Sequence, residues 1–131
     1  MCGSSLLATR RYAGVCHIDA EKVLTDDAYA DHITEYSKEK HVEISALAFY
    51  PNTMDGNPEK RTSAVEHLKR VIQASDKLGI GMVTTFIGRD QTKTVEENLE
   101  IVREVWPPII RLAEEKKVKI AIENCPMLFG T

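Results

Sequence analysis

Glu123 is the residue whose type and position point most directly to chemistry, because it follows a short apolar run, Val118 to Ile122. In an extended strand, Glu123 shares one face with Lys119 and Ala121. A carboxylate at the end of an apolar parallel strand can act as a metal ligand, as a general base, or as an acceptor that holds loop amides. The pattern alone leaves these three roles open.

Other polar residues follow strand-like runs in the same way. Asn52 offers a donor and an acceptor to a sugar-like hydroxyl, and is as readily explained as a turn residue. Arg89 is suited to hold an anionic group, or else forms a surface loop with Asp90. Asn124 points away from the face of Glu123 by alternation, or satisfies its own backbone in a turn.

The histidines are weaker candidates. His17 could lie at a strand end near the same rim, in a stretch whose pattern does not decide the matter. His32 and His67 fall in predicted helices and His41 at a helix-to-strand junction, which favours structural or solvated roles. The sequence has no H-E-x-x-H, no G-x-S-x-G, no cysteine zinc pattern, and no glycine-rich phosphate loop after a strand. Those classes of site are therefore not expected.

The elements that position these residues recur at a constant interval. Three runs rich in β-branched residues begin at positions 42, 80 and 118, so the starts lie 38 residues apart both times. Each run is short and is followed by turn residues, which predicts three strands over about 42–49, 80–87 and 118–123.

Helical periodicity fills the intervals between the predicted strands. Pro107 and Pro108 are expected to kink or interrupt the last helix, because proline lacks a backbone donor and clashes with the preceding turn. Strands joined by such long crossovers form a right-handed parallel α/β unit. The predicted helices run over about 27–40, with Thr25 or Asp26 as cap; from Asn57 and Pro58 to Gly79; and over about 94–117, with Thr94 and Glu97 as a capping box.

Composition predicts one globular domain over residues 1–131. The chain is 43% hydrophobic with a net charge of −3, so it has no general attraction for nucleic acid or an anionic membrane, and no run is long enough to span a bilayer. Three widely spaced cysteines suit reduced thiols, and we expect a cytoplasmic location. The length is about half of the roughly 250 residues of a closed (β/α) barrel.

With these segments placed, the stretch from about 44 to 129 resembles the xylose isomerase-like TIM-barrel superfamily. That group holds sugar phosphate isomerases and epimerases and the endonuclease IV-like proteins of AP endonuclease family 2. The segment Cys16–Asp19 is similar, more weakly, to the piece after the second strand in some members. The resemblance is carried by Ile44–Leu47 leading to Pro51-Asn52, Leu78–Ile80 leading to Thr85–Arg89, Glu97–Leu99 followed by Trp106–Pro108, and Ile120–Met127.

The resemblance implies a divalent-metal enzyme of carbohydrate metabolism that acts on a sugar or sugar phosphate, with Mn, Mg, Zn or Co as the ion. Glu123 would be the first acidic metal ligand and would also transfer a proton beside a carbonyl. Asn52, Arg89 and Asn124 would line the rim, and His17 would contact the substrate. A metal that polarises a carbonyl acidifies the adjacent C–H, which a nearby carboxylate can then remove and return.

The same resemblance implies that only about half a barrel is present. The family's other metal ligands, an Asp, a His and a second Glu, come from later strands, and the given sequence reaches only Thr131. One carboxylate is too few ligands for a catalytic ion, so the chain by itself is expected to lack a complete site.

Two other functions stay open. One is an endonuclease IV-like phosphodiesterase. The net negative charge of the chain disfavours binding to DNA, so a nucleic-acid partner is not expected. The other is a non-catalytic truncated half-barrel that self-associates as a homo-oligomer along its open sheet edge.

Overall fold

The computed structural model describes residues 5–7 and 17–123. Strands and helices alternate along most of the described chain, as the sequence predicts. The described elements are β1 (Ser5–Leu7), α1 (Ala20–Thr25), α2 (Asp27–Glu39), β2 (Ala46–Ala48), α3 (Pro58–Lys77), β3 (Met82–Thr85), α4 (Val95–Lys116) and β4 (Lys119–Ile122).

The strands form one parallel sheet in the order β1-β2-β3-β4. This order confirms the α/β class and the three predicted strands, each of which is shorter than its apolar run. Strand β1 was not predicted. Its three residues, Ser5 to Leu7, are too few to show a period, and their extended form is set by pairing with β2.

The predicted helix caps are confirmed. The Asn57 side chain accepts the backbone N–H groups of Glu59 and Lys60, and Pro58 occupies the first turn of α3. Thr94 and Glu97 form the reciprocal capping box of α4. These bonds satisfy donors that a helix start otherwise leaves unpaired, which is why the starts were readable from sequence.

Helix α4 is not interrupted at Pro107 and Pro108, although the sequence suggested a kink or a break there. Each proline removes the N–H that would bond the carbonyl four residues earlier, at Arg103 and Glu104. Both of those residues are exposed, so water can hydrate the two carbonyls. The helix therefore continues through the proline pair to Lys116.

Helix α1 was also not predicted. Its cap is Asp19, whose carboxylate accepts the backbone N–H of Lys22 at 3.1 Å. Ala20 and Val23 are buried within its six residues, and the helix packs against α2 and α3. A helix this short is held by burial more than by its own propensity.

The core lies on one face of the sheet. Leu47 and Phe49 around β2, Val83 of β3 and Ile120 of β4 pack with the buried faces of α3 and α4. Since side chains alternate along a strand, Tyr50, Thr84 and Glu123 belong to the opposite face. In a closed barrel with its helices outside, that second face is the interior. The helix residues of the core include Leu68, Val71, Ile72, Trp106 and Ile109.

Among the residues that the structure describes, no helix has the length and apolar character needed to cross a membrane.

Candidate active site

The carboxyl ends of β2, β3 and β4 lie side by side, and the strand pairing extends one residue beyond the regular sheet. Phe49 N–H donates to Thr84 O at 2.9 Å, and Glu123 N–H donates to Thr85 O at 2.8 Å. The backbones next to Tyr50 and at Glu123 are thus both tied to the central strand β3. This edge is where parallel α/β folds place their chemistry.

Tyr50 and Glu123 meet across that central strand. The Tyr50 hydroxyl donates a hydrogen bond to Oε1 of Glu123, and Oγ1 of Thr84 lies 3.4 Å from the same hydroxyl. The Tyr50 ring stacks on Phe86, with 5.7 Å between ring centroids and 16° between planes. Glu123 is exposed to solvent. We name this group the Tyr50–Glu123 edge: Tyr50, Thr84, Phe86 and Glu123.

Glu123 emerges where the sequence placed it, on the face opposite the core. Tyr50 was missed as a site residue. Alternation from Leu47 and Phe49, which face the core, would have placed Tyr50 on the face of Glu123. That signal becomes useful only once the parallel register shows that β2 and β4 flank the same strand.

Asn52 holds two loops together. Its Oδ1 accepts the backbone N–H groups of Met54, at 2.9 Å, and Arg89, at 3.1 Å, and its Nδ2 donates to the carbonyl of Arg89 at 2.8 Å. The hydrogen bond from the Met54 backbone closes a turn, so Asn52 is a turn residue, which is one of the two interpretations that the sequence left open. The bonds to Arg89 join that turn to the loop after β3.

A second link and a close approach reinforce this joint. The buried Thr53 hydroxyl donates to the carbonyl of Ile87 at 2.9 Å. Gly88 has a positive φ of 87°, and a Cβ there would lie 2.0 Å from Oδ1 of Asn52. Only glycine fits this conformation and this space. We call the two connected loops, residues 51–57 and 87–94, the loop pair.

Asn98 of α4 completes the second loop. Its buried side chain accepts the backbone N–H of Asp90 at 2.8 Å and donates to the carbonyls of Asp90 and Thr94 at 3.0 and 2.8 Å. Neither Asn98 nor Asp90 was singled out from sequence as a holder of this loop. Their spacing of eight residues, across a loop and a helix start, carries no period that would indicate a contact.

Asp90 is only 4% exposed, so the alternative of an Arg89–Asp90 surface loop is wrong for Asp90. Its carboxylate accepts the hydroxyl of Thr92 at 2.7 Å and the backbone N–H of Thr92 at 3.0 Å. These bonds lower the pKa of Asp90 below its ordinary value. The hydrogen bond from the backbone of Thr94 likewise lowers the pKa of Glu97.

The remaining predicted site residues lie in several places. Arg89 is partly buried, with its backbone held by Asn52. His17 is exposed, two residues before the cap of α1. Asn124 lies outside the described residues. The structure thus brings Asn52 and Arg89 together in the loop pair, while Glu123 belongs to the neighbouring edge.

The other histidines lie where the sequence suggested. His67 is partly buried in α3 and stacks on Phe49 with 5.0 Å between ring centroids, which is a packing role. His32 is exposed on α2, and His41 is exposed at the helix-to-strand junction with a φ of 52°.

A divalent metal is the group that the sequence resemblance implies, and the residues present fit one part of such a site. Glu123 is an exposed carboxylate at the carboxyl edge, and hard divalent ions bind such oxygens. Within residues 5–7 and 17–123 there is no group of three His, Cys, Asp or Glu side chains able to hold an ion. The described residues therefore hold no complete metal site, and the role of Glu123 as a metal ligand stays a prediction.

Comparisons with known proteins agree with this architecture. A family model described as xylose isomerase-like TIM barrel matches residues 12–131. A putative xylose isomerase from Rhodospirillum rubrum superposes with a TM-score of 0.64 at 16% identity, covering 81% of this chain and 40% of that one. A D-psicose 3-epimerase from Clostridium cellulolyticum, solved with D-tagatose, gives 0.51 at 18% identity, covering 79% and 39%.

At these identities the structural likenesses establish the fold. The chain spans about two fifths of the length of these two structures. No curated protein matches the chain in sequence.

Proposed function

The chain belongs to the xylose isomerase-like TIM barrel family, and from this premise we propose that it serves the isomerisation or epimerisation of a sugar or sugar phosphate. The family includes sugar isomerases and epimerases, and the two structural neighbours carry names of that kind. The reaction is a proton transfer at the carbon next to a carbonyl group. The isomerase or epimerase activity is proposed for the complete barrel to which these strands belong, and not for the 131-residue chain alone.

The observation that carries the proposal is the exposed carboxylate of Glu123 at the carboxyl edge of the sheet, on the face opposite the helices. A base for this reaction must reach a substrate C–H, so it has to stand free of the core. Of the acids in the loops at this edge, Asp90 is buried and accepts hydrogen bonds from Thr92, and Asp55 accepts the backbone N–H of Asn57. Glu123 is therefore the best candidate of these three.

The proposed step starts with the Glu123 carboxylate taking the proton from the hydroxyl-bearing carbon beside the carbonyl. The electron pair of that C–H bond forms a C=C bond to the carbonyl carbon, the carbonyl π pair moves to its oxygen, and an enediolate results. Return of the proton from Glu123 to the former carbonyl carbon, with transfer of the remaining hydroxyl proton to the other oxygen, completes isomerisation. Epimerisation requires delivery of a proton to the opposite face of the original carbon by a second acid, which another part of the barrel would have to supply.

Glu123 also fits as one ligand of a divalent ion, Mn, Mg, Zn or Co, whose chemistry when bound is to polarise the carbonyl and hydroxyl oxygens of the sugar. The protein's contribution is to hold the carboxylate at the rim. The proposal assigns Asn52, Arg89, Asn124 and His17 to contacts with the substrate around it. Arg89 suits a phosphate group, because a guanidinium binds anions through paired N–H donors.

Asn52 contributes in a second way that its contacts support. By holding Arg89 through two backbone hydrogen bonds, it sets the position from which the Arg89 side chain extends. A substrate contact by Arg89 would therefore depend on Asn52 even without a direct bond from Asn52 to the sugar.

Solvent isotope exchange tests this function. The complete barrel that contains these strands is incubated in D₂O with Mn²⁺ and keto sugars, free and phosphorylated, and deuterium at the carbon beside the carbonyl is followed by NMR. We expect exchange with the unmodified barrel and its loss in Glu123→Gln. The matched control is Glu115→Gln, which removes an exposed carboxylate on α4 and should exchange as the unmodified barrel does.

Two results would contradict the proposal. Exchange that persists in Glu123→Gln removes that residue from the proton transfer. Absence of exchange in the unmodified barrel, together with dimers of the 131-residue chain in sedimentation, would favour the non-catalytic self-associating half-barrel. Cleavage of abasic DNA would favour the phosphodiesterase.

We also propose a cytoplasmic location. The support is the number and spacing of Cys2, Cys16 and Cys125, which match no disulfide framework. These three positions lie outside the described residues.

A further inference from the structure

The hydrogen bond between Tyr50 and Glu123 joins the ends of two strands that are not neighbours in the sheet. Neighbouring strands lie about 4.8 Å apart, so β2 and β4, which flank β3, are separated by roughly 10 Å. A short side chain on β2 could not span this gap. The phenol of Tyr50 does so, and its hydroxyl donates to Oε1 of Glu123.

Tyr50 is itself held in place on several sides. Its ring stacks on Phe86, and Thr84 Oγ1 lies 3.4 Å from its hydroxyl. The backbone just before it is tied to β3 through Phe49, as the backbone of Glu123 is on the other side. A donor with so many restraints presents its O–H in a nearly fixed direction.

An exposed glutamate ordinarily samples several rotamers, and binding a ligand then requires that freedom to be lost. A hydrogen bond from a fixed hydroxyl to a carboxylate restricts this motion, and it is stronger than a bond between neutral groups. Since Oε1 accepts the hydrogen bond from Tyr50, Oε2 is the oxygen left to bind a ligand.

We propose that Tyr50 is a positioning residue: it holds Oε1 of Glu123 so that Oε2 is offered to a divalent metal and to the substrate. This inference rests on the proposed function, since it assigns Tyr50 a part in the same site. Partners that orient metal ligands usually matter nearly as much as the ligands, and their loss weakens metal binding 10- to 100-fold.

The first test is calorimetric titration of the complete barrel that contains these strands with Mn²⁺ alone. The variant Tyr50→Phe keeps the ring and its stacking while removing the hydroxyl. We expect Mn²⁺ affinity to fall about 10-fold or more in Tyr50→Phe and to vanish in Glu123→Gln. Tyr36→Phe, a tyrosine 53% exposed on α2, is the matched control and should bind as the unmodified barrel does.

The outcomes of this titration distinguish the role of Tyr50 from the proposed function of Glu123. Loss of binding in Glu123→Gln with full binding in Tyr50→Phe overturns the role of Tyr50 and leaves the proposed function standing. Absence of Mn²⁺ binding in the unmodified complete barrel counts against Glu123 as a metal ligand, and the role of Tyr50 is then decided by a measurement made without metal.

That measurement is the ¹³C resonance of the Glu123 carboxyl group at neutral pH, assigned by its disappearance in Glu123→Gln. A hydroxyl that donates to this carboxylate changes its resonance, so Tyr50→Phe should move the signal while Tyr36→Phe leaves it in place. An unchanged signal in Tyr50→Phe would overturn the contact itself. Circular dichroism of each variant confirms that the fold is retained.

Discussion

The loop pair and the Tyr50–Glu123 edge lie at the same carboxyl end of the sheet and use polar residues in opposite ways. In the loop pair, Asn52, Thr53 and Asn98 direct their polar atoms to backbone groups of the loops. In the Tyr50–Glu123 edge, an exposed carboxylate is held by one side-chain donor across a strand. Burial and backbone partners mark residues that build the site, and exposure marks the residue available to a ligand.

The physical reason lies in the cost of buried polar groups. A buried amide or carboxylate without a partner destabilises the fold, so the loop pair satisfies its groups internally. An exposed carboxylate is hydrated and contributes little to stability. Substitutions in the two regions should therefore separate stability from ligand binding.

The largest effect is expected at the tightest point of the loop pair. Gly88→Ala forces an L side chain into a positive φ and places its Cβ against the Asn52 amide, so unfolding free energy should fall by roughly 3 kcal/mol. Gly79→Ala is the control, because Gly79 also has a positive φ but has no atom within 4 Å of an added Cβ. It should cost only about 1 kcal/mol. Equal losses in urea titrations would contradict the close approach to Asn52.

The next effect concerns the buried amide of α4. Asn98→Ala leaves the backbone N–H of Asp90 without its acceptor, so we expect a loss of about 2 kcal/mol in unfolding free energy. Gln91→Ala removes an exposed amide in the same loop and should change stability by less than about 0.5 kcal/mol. Thermal and urea unfolding measure both. If Asn98→Ala lowers the unfolding free energy no more than Gln91→Ala does, water replaces the hydrogen bonds of Asn98.

Acid should destabilise the loop pair and the first turn of α4, where the pKa values of Asp90 and Glu97 are lowered. The pKa of Asp90 is lowered by the Thr92 hydroxyl and then by the Thr92 N–H, and the pKa of Glu97 by the Thr94 N–H. A lowered folded-state pKa stabilises the protein above the unfolded-state pKa, and this contribution is lost as pH falls through the folded-state pKa. Unfolding free energy measured against pH should therefore decline in acid.

The variant Asp90→Asn checks the origin of that decline. It has no carboxylate to protonate at this position, so its unfolding free energy should fall less steeply in acid than that of the unmodified chain. Parallel curves for the two proteins would show that Asp90 does not contribute to the pH dependence.

The smallest effect on stability is expected at Glu123. Glu123→Gln replaces an exposed carboxylate by an amide of the same shape, so unfolding free energy should change by less than about 0.5 kcal/mol. Binding of Mn²⁺ should nevertheless disappear, as proposed above. A large loss of stability instead would mean that Glu123 belongs with the site-building residues of the loop pair.

Much of the fold was readable from the sequence because its signals are local. The capping bonds of Asn57 and of Thr94 with Glu97 join residues within one helical turn, and β-rich runs at a constant interval predict parallel strands. Glu123 was also readable as an edge residue, because alternation along one strand assigns its face. Strand β1 and helix α1 escaped prediction, since each is too short to show a period.

Contacts between segments were decided by the tertiary structure alone. Tyr50 and Glu123 are 73 positions apart and meet only because β2 and β4 flank β3 in parallel register. The burial of Asp90 depends on Asn98, which α4 brings back over the loop. The sequence by itself determined which residues form strands, helices and caps, since those follow from neighbouring side chains and backbone bonds. Strand pairing and helix packing decided which polar residues became structural and which carboxylate remained exposed.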